Sequence, residues 1–230
     1  MNTLLMRLVA PMQSWGVESQ FTIRDTGLEP SKSGVIGLIC AALGRPRAAP
    51  LEDLAALRMG VRVDREGTLR SDYQIAQEVL SSAGKGLKSG VTSNRYYLAD
   101  AAFLVGLEGG DLGLLERIQQ ALQHPTWAIF LGRKAFAPAA PTWLYDGVRK
   151  DESLEAVLST YGWIYPWGAK KVPDKVRMIM EHAEGQQTRP DVPISFTERR
   201  FSSRRVKTSL QPAPTSFIRE VSDEPIQADA

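Results

Sequence analysis

A strand-like segment followed by a helix-like segment occurs twice along this chain. Thr3–Val9 is an apolar run typical of a buried strand. Gly34–Leu43 is also apolar, is preceded by serine and is followed by Gly44, which predicts a short buried helix because Ser favours the N-cap and Gly the C′ position. Arg95–Leu107 and Leu112–Gln123 repeat this order as a long strand and an amphipathic helix.

Further segments extend the pattern between and after these two units. Leu57–Arg65 alternates as a strand, and Thr68–Ile75 is expected to pair back on it. The remaining predicted elements are a strand at Trp127–Leu131, a helix at Glu152–Leu158 and a strand at Val176–Glu181.

Two strand–helix–strand units separated by a hairpin predict an α+β fold whose sheet is covered by helices on one face. A ferredoxin-like βαββαβ arrangement is the simplest one that fits. The Pro-, Ser- and Arg-rich segment from Asp191 onward predicts an irregular C-terminal extension that wraps a surface or a partner.

Cysteine and histidine are too scarce for a metal centre or a disulfide framework. Cys40 is the single cysteine, and His124 and His182 are the two histidines, far apart in the chain. We therefore expect no metal and no cofactor. No apolar run approaches the roughly 20 residues of a membrane span, and the N-terminus lacks the features of a signal peptide, so the sequence predicts a cytoplasmic protein.

Basic residues are concentrated locally although the formal net charge is only +2. Residues 81–97 contain Lys85, Lys88 and Arg95 and no acid, and residues 189–207 contain six basic and two acidic residues. Local basic blocks in a nearly neutral chain favour a defined anionic partner, although solvated surfaces would give the same pattern.

Residues 27–34 resemble a phosphate-binding loop but lack its essential glycine. Ser31 stands immediately before Lys32, where a P-loop requires Gly. The predicted helix N-terminus, with Lys32 between Ser31 and Ser33, still suits one phosphate of a polynucleotide. A simple capped helix with an exposed lysine is the alternative.

Two other segments allow contacts to nucleic acid. Gly132 permits close approach of a backbone or base, and Arg133 and Lys134 supply phosphate contacts, although a basic turn would look identical. A cluster of aromatic residues is followed by two lysines. The aromatic residues could stack on bases or pack under a loop. The residues are Tyr161, Trp163, Tyr165 and Trp167, followed by Lys170 and Lys171.

Five blocks of the sequence resemble the CasD-type subunits of CRISPR Cascade complexes, which belong to the RAMP superfamily. The blocks are Leu5–Gly16, Phe21–Thr26, Pro30–Gly44, Tyr96–Val105 and Leu131–Pro138. Their order and spacing are specific, and the similarity is greatest to the type I-E form.

The resemblance implies a RAMP domain with a β-hairpin thumb that caps one end of the Cascade backbone and holds the 5′ handle of the CRISPR RNA. It also implies contacts with the adjacent backbone subunit and the large subunit, an indirect contact with target DNA through the complex, and no membrane. Residues 1–145 would form the ferredoxin-like domain, with the thumb at about 76–100. Residues 146–230 would complete the sheet and end in a basic, partly irregular tail.

Mapped onto this chain, the resemblance assigns RNA binding to the handle groove, the thumb and a basic loop. The residues are Gln13, Ser14, Trp15, Arg24, Ser31, Lys32, Ser33, Lys85, Lys88, Arg95, Gly132, Arg133 and Lys134. Arg199, Arg200, Arg204 and Arg205 are expected to face either RNA or a partner subunit.

A non-catalytic role is expected because the type I-E form leaves RNA cutting to a separate subunit. The type I-C form itself cleaves precursor CRISPR RNA, so a metal-independent endoribonuclease is the alternative. The scarcity of histidine, the usual general acid or base, argues against it. An isolated RNA chaperone would fit the basic blocks but leaves the five matched blocks unexplained.

Overall fold

Strands make up most of the regular structure in the computed structural model, which describes residues 1–16, 22–81, 84, 86–164 and 173–217. The strands are β1 (Asn2–Val9), β2 (Met12–Gln13), β3 (Ile23–Arg24), β4 (Arg58–Arg65), β5 (Thr68–Ala76), β6 (Val79–Leu80), β7 (Leu87–Lys88), β8 (Val91–Ala99), β9 (Ala102–Gly109), β10 (Trp143–Arg149), β11 (Lys175–Glu181), β12 (Gln187–Ser195) and β13 (Arg200–Pro212). The helices are α1 (Lys32–Leu43), α2 (Glu52–Ala55), α3 (Leu112–Gln123) and α4 (Leu154–Thr160).

Seven of these strands form an antiparallel sheet in the order β10-β1-β9-β4-β11-β13-β12. Helix α1 lies between β1 and β4 in the chain, and α3 lies between β9 and β10. The fold is therefore a mixed α/β fold, rich in strands and with few helices.

Helix α1 begins and ends where its flanking residues predict. The Ser31 side chain accepts a hydrogen bond from the backbone N–H of Gly34 (3.3 Å) and caps the first turn. Gly44 follows the last turn with φ of +69°, a left-handed conformation that glycine adopts without strain.

Helices cover both faces of the large sheet, so the expectation of one covered face is wrong. Leu4, Met6 and Leu8 of β1 point into a core shared with α1 and α3. Leu5 and Val9 point to the other face, where they pack with α4. The continuous apolar run in β1 follows from this two-sided burial.

A second sheet is built around β8. Strand β5 pairs with β8 in register from Thr68–Ala99 to Ala76–Val91, and β2 and β3 pair with the opposite edge of β8. Residues 68–75 therefore pair with β8 and not, as predicted, with 57–65. The predicted strand Arg95–Leu107 is divided at Asp100, whose φ is +56°, and its two parts join different sheets.

The C-terminal region is more regular than expected. Strands β12 and β13 form an antiparallel hairpin, and β13 pairs with β11 to extend the large sheet. The prediction of an irregular extension from Asp191 onward is thus wrong for residues 191–195 and 200–212, while residues 218–230 lie outside the described part of the chain.

The segment Trp127–Leu131 is not a strand. Thr126 and Trp127 instead satisfy the C-terminal end of α1, where their N–H groups donate to the carbonyls of Ala42 and Ala41 respectively. The strand that pairs with β1 comes later, at Trp143–Arg149.

Candidate nucleic-acid interface

A groove of about 480 Å³ lies over the N-terminal half of α1. The helix forms its floor, and its walls come from residues 14–16, 24–25, 128–133 and the turn between β12 and β13. The structure thereby brings together seven of the predicted RNA-binding residues, which are Ser14, Trp15, Arg24, Ser31, Ser33, Gly132 and Arg133.

Gly132 allows two walls of the groove to meet. The N–H of Ser14 donates to the carbonyl of Leu131 (3.0 Å), and Gly132 has a φ of +105°. A Cβ atom at this position would lie 2.1 Å from the Ser14 carbonyl oxygen. No other residue fits here without displacing the Ser14 backbone, so the glycine fixes the position of the basic loop that follows.

Three arginines from separate parts of the chain meet at one side of the groove. Strand β3 runs parallel to β8 and places Arg24 opposite Arg95. The Arg133 guanidinium donates to the carbonyls of Tyr96 (2.7 Å) and Arg24 (3.3 Å), and lies 5.3 Å from the centre of the Phe136 ring. These contacts fix the position of the guanidinium. None of the contacting groups carries a negative charge, so they do not neutralise it.

The electrostatic environment of Arg133 reflects this crowding. Burial and the neighbouring charges of Arg95 and Arg24 lower the pKa of Arg133, and Asp72 acts in the opposite direction. The guanidinium stays protonated, because its pKa begins far above neutral pH. Like charges held this close are stabilised by an anion, and a phosphate matches the planar donors of arginine.

Gln13 and Trp15 support the groove from within the core. The Gln13 side chain is fully buried and donates to the carbonyls of Leu8 (3.2 Å) and Ala101 (2.8 Å). Its oxygen accepts from the indole N–H of Trp15 (3.3 Å), whose ring packs against Gly34. Trp15 thus forms one wall of the groove with little exposed surface. The Gln13 side chain lies in the core, where its amide groups are hydrogen-bonded.

Lys32 and Arg204 belong to a buried charge network instead of an open surface. The Lys32 ammonium pairs with Glu181 (3.0 Å), and Arg204 pairs with Asp191 (2.7 Å). The other Asp191 oxygen accepts from the Lys32 backbone N–H (2.7 Å), so a carboxylate of β12 occupies the helix N-terminus where a phosphate was expected. Burial lowers the pKa of Lys32, although Glu181 opposes that shift. The charged groups of both residues are therefore held by carboxylates within the protein.

The remaining predicted residues lie at different distances from the groove. Arg199 lies in the turn between β12 and β13, and Arg200 begins β13 and pairs with Glu198 (3.0 Å); neither lines the groove. Arg205 is exposed farther along β13 and donates to the Ala183 carbonyl (3.2 Å). Exposed Lys134 follows Arg133, and exposed Lys88 lies in β7, away from the groove lining; Lys85 lies outside the described residues.

Three phenylalanines of the groove were missed by sequence analysis. Phe130, Phe196 and Phe201 line it, and Phe201 is 42% exposed. The signal in the sequence was an aromatic residue in each half of the Ser- and Arg-rich segment 195–205, which was taken for an irregular tail. The exposed Phe201 ring and the half-buried Phe130 and Phe196 rings suit the stacking of bases.

Neither histidine lines the groove. His182 borders a separate, open pocket with Arg58 and Glu155, and its Nδ1 accepts from the Glu184 N–H (3.1 Å). Within the described ranges no group of three or more His, Cys, Asp or Glu side chains could hold a metal ion, and no described helix is long and apolar enough to cross a membrane.

The described members of the aromatic cluster are packed. Trp163 is 2% exposed, and its backbone pairs with residues 216–217. The Tyr161 hydroxyl donates to Asp146 (2.6 Å). Tyr165, Trp167, Lys170 and Lys171 lie outside the described residues.

Comparison with known proteins agrees with this architecture. The family model of the CRISPR-associated protein Cas5 matches residues 3–207. The chain belongs to the Cas5 family. It is also similar to the CRISPR system Cascade subunit CasD of Escherichia coli (strain K12), with 31% identity over 157 residues, which are 61% of this chain and 69% of that protein.

Two solved structures resemble this Cas5-family chain over nearly its whole length. A crystal structure of a Cas protein has a TM-score of 0.75 and 42% identity, and the match covers 92% of this chain and 97% of the other. A chain of a CRISPR RNA-guided surveillance complex has a TM-score of 0.76 and 32% identity, with coverage of 93% and 91%.

Proposed function

We propose that this chain is a non-catalytic, RNA-binding subunit of a type I-E Cascade surveillance complex. In this role it caps the backbone and holds the 5′ handle of the CRISPR RNA. Its neighbours would be the adjacent backbone subunit and the large subunit, and target DNA would be met through base pairing with the guide. The observation that carries the proposal is the meeting of Arg24, Arg95 and Arg133 beside a groove with aromatic walls.

We also infer that β1, α1, β4, β9, α3 and β10 form a ferredoxin-like βαββαβ unit. The sheet order β10-β1-β9-β4 supports this inference, since it places the first and third strands at the centre. The division into a RAMP domain at 1–145 and a C-terminal region at 146–230 follows, with β11, β12 and β13 completing the sheet.

The hairpin of β5 and β8 is our candidate for the thumb. All nine residues of β5 are exposed, which is consistent with a hairpin that extends from the main sheet. One of its faces carries Arg70, Asp72 and Arg95, and the other carries Leu69, Tyr73 and Ile75. We expect RNA on the charged face, which continues into the arginine cluster.

The groove suits single-stranded RNA through two kinds of contact. Arg24 and Arg133 would bind phosphates of the handle, while Ser14 and Ser33 add hydroxyl donors. Phe130 and Phe201 would contact bases that are turned out of the strand. Phosphate contacts fix the position of the RNA, and the guide remains free to pair with its target.

The decisive experiment incubates the full chain with labelled repeat RNA in the presence of EDTA and scores both retention and cleavage. Retention without cleavage, strengthened by neighbouring Cascade subunits, supports the proposal. Specific cuts at the handle boundary would instead identify a metal-independent endoribonuclease of the type I-C kind, and the non-catalytic role would be wrong.

A further inference from the structure

A second groove of about 360 Å³ lies at the C-terminal end of α1 and adjoins the first. Gly37, Ala41 and Phe196 line both grooves, so the two meet across one half-buried strip of the helix. The far end of the second groove is formed by Cys40, Arg45, Pro46, Arg47 and Trp127.

Both rims of this second groove are held by hydrogen bonds. The Trp127 backbone N–H donates to the Ala41 carbonyl (3.1 Å), which fixes the tryptophan beside the last turn of α1. On the opposite rim the Arg47 Nε donates to the Phe196 carbonyl (3.0 Å), and the Thr197 hydroxyl donates to the Arg47 carbonyl (3.1 Å). The backbone of Trp127 and the side chain of Arg47 are therefore positioned by the fold before any ligand arrives.

The side chains of the groove suit a flat ligand with an attached anion. Trp127 is 49% exposed, although large aromatic rings are normally well covered. The floor consists of the small residues Gly37, Cys40 and Ala41, which leave room above them. Arg45 forms a bidentate ion pair with Asp53, whereas the contact recorded for the exposed Arg47 guanidinium is a backbone carbonyl.

Cys40 provides no competing chemistry in this groove. Burial raises the pKa of its thiol, so little thiolate is present at neutral pH. The groove is better suited to binding than to a reaction at sulfur.

We propose that the second groove is a base-stacking subsite for single-stranded RNA that leaves the arginine groove. The strand crosses α1 beside Phe196, places one base against Trp127 and brings a neighbouring phosphate to Arg47. The proposal rests on the proposed function, and it is supported by the continuity of the two grooves and by the exposed ring and cation at the far end. It extends the RNA path from the N-terminal to the C-terminal end of the helix.

The test measures binding of the full chain to single-stranded RNAs whose length increases from about 4 to 12 nucleotides, the range of typical site sizes. Short RNAs that fill the arginine groove alone should bind Trp127→Ala as tightly as wild type. Beyond a threshold length, wild type should gain affinity and Trp127→Ala should be weaker by about fivefold or more, the effect of one lost stacking contact. Trp127→Phe should retain most of the gain, and Tyr145→Ala serves as the control at an exposed aromatic residue of β10.

An abasic nucleotide at the threshold position should cause the same loss in wild type and no further loss in Trp127→Ala, because both changes remove one contact. Melting temperatures of the variants establish that each is folded.

Three results would overturn the proposal. Equal affinity of Trp127→Ala and wild type at every length, with Arg24→Ala still weakening binding, would reject the subsite and leave the proposed function intact. Loss of assembly with neighbouring subunits at unchanged RNA affinity would identify Trp127 as a protein contact. No effect of Arg24→Ala, Arg133→Ala or Trp127→Ala on RNA affinity would reject the subsite and the proposed function together.

Discussion

The carboxylates that reach each basic side chain determine which of them remain available for the proposed contacts to phosphate. Lys32 and Arg204 are neutralised by Glu181 and Asp191 inside the protein. Arg133 instead donates to backbone carbonyls, and its charged neighbours are Arg24, Arg95 and Asp72. Basic residues that look alike in the sequence thus differ in the structure. Some form internal ion pairs, whereas Arg133 donates to backbone carbonyls.

Arg24→Ala is expected to weaken binding of the handle RNA by roughly 1–2 kcal/mol, because one charge-assisted hydrogen bond to a phosphate is lost. Affinity is measured by titration of labelled RNA with the full chain. Arg117→Ala, on the exposed face of α3, is the matched control and should bind as wild type does. An Arg24→Ala variant with unchanged affinity would remove this residue from the interface.

Lys32→Met is expected to lower the free energy of unfolding by about 2 kcal/mol, because the part-buried Glu181 carboxylate loses its nearest cation and keeps only a longer contact to Arg204 (3.6 Å). Lys32 is 1% exposed, and its partner Glu181 also accepts from the Met59 N–H. Urea unfolding measures the change, and Lys150→Met, in an exposed pair with Glu116, should cost less than about 1 kcal/mol. Full stability with lost RNA binding would instead return Lys32 to the interface.

Tyr161 is expected to make stability depend on pH in the alkaline range. Burial and the hydrogen bond to Asp146 raise the pKa of Tyr161 above its ordinary value of 10. The unfolded chain therefore loses this proton first, so the stabilisation is complete below about pH 10 and is lost as the pH rises beyond it. The difference in unfolding free energy between wild type and Tyr161→Phe should shrink over that range, and parallel curves for the two proteins would contradict the assignment.

At the scale of elements, local signals predicted the helices well and the strand partners poorly. Helix α1 has a serine and a glycine at its ends and α3 has a strong apolar face, so both were found with nearly correct bounds. The partner of β5 is β8, which follows after a long excursion, and no local signal distinguishes it from the nearer β4. Sheet pairing depends on contacts between residues distant in the sequence, so it is hard to predict from local signals. The groove is hard to predict for the same reason, because its walls come from four separate segments.

The proline-containing segment that was predicted to be an irregular tail forms an edge strand. Pro190 and Pro193 lie in β12, whose register with β13 shifts at both places. Proline is disfavoured in a central strand, but β12 is the edge strand of the sheet, where a missing N–H is tolerated. The same residues protect this edge from pairing with another chain.

Joining Ala76 to Val91 by an Asn-Gly turn would remove the tip of the proposed thumb and keep the register of β5 and β8. We expect cooperative unfolding to be preserved, because none of the described residues between Ala76 and Val91 is buried. Assembly with the neighbouring Cascade subunits should be impaired. Replacing the exposed Leu80 and Leu87 by serine in the full-length hairpin tests whether apolar contacts cause the defect. Loss of cooperative unfolding would show that the tip belongs to the core.

At the scale of the whole molecule, the formal net charge of +2 predicts only weak attraction to a polyanion. The three arginines at the groove concentrate positive charge in one place. The charges of Lys32 and Arg204, by contrast, are balanced by Glu181 and Asp191. Affinity for RNA should therefore depend on local counterion release and only slightly on the overall charge.

The salt dependence of binding measures this directly. Each phosphate neutralised on a single strand contributes about −0.7 to the slope of log K against log salt concentration, so three contacts predict a slope of about −2. Arg133→Ala should reduce the slope to about −1.4, whereas Arg117→Ala changes the net charge equally and should leave it unchanged. If both variants reduced the slope alike, the attraction would come from total charge, and the arginine cluster would not be the RNA-binding site. If Arg133→Ala alone reduced the slope, the result would indicate that the RNA phosphates bind at the groove beside α1.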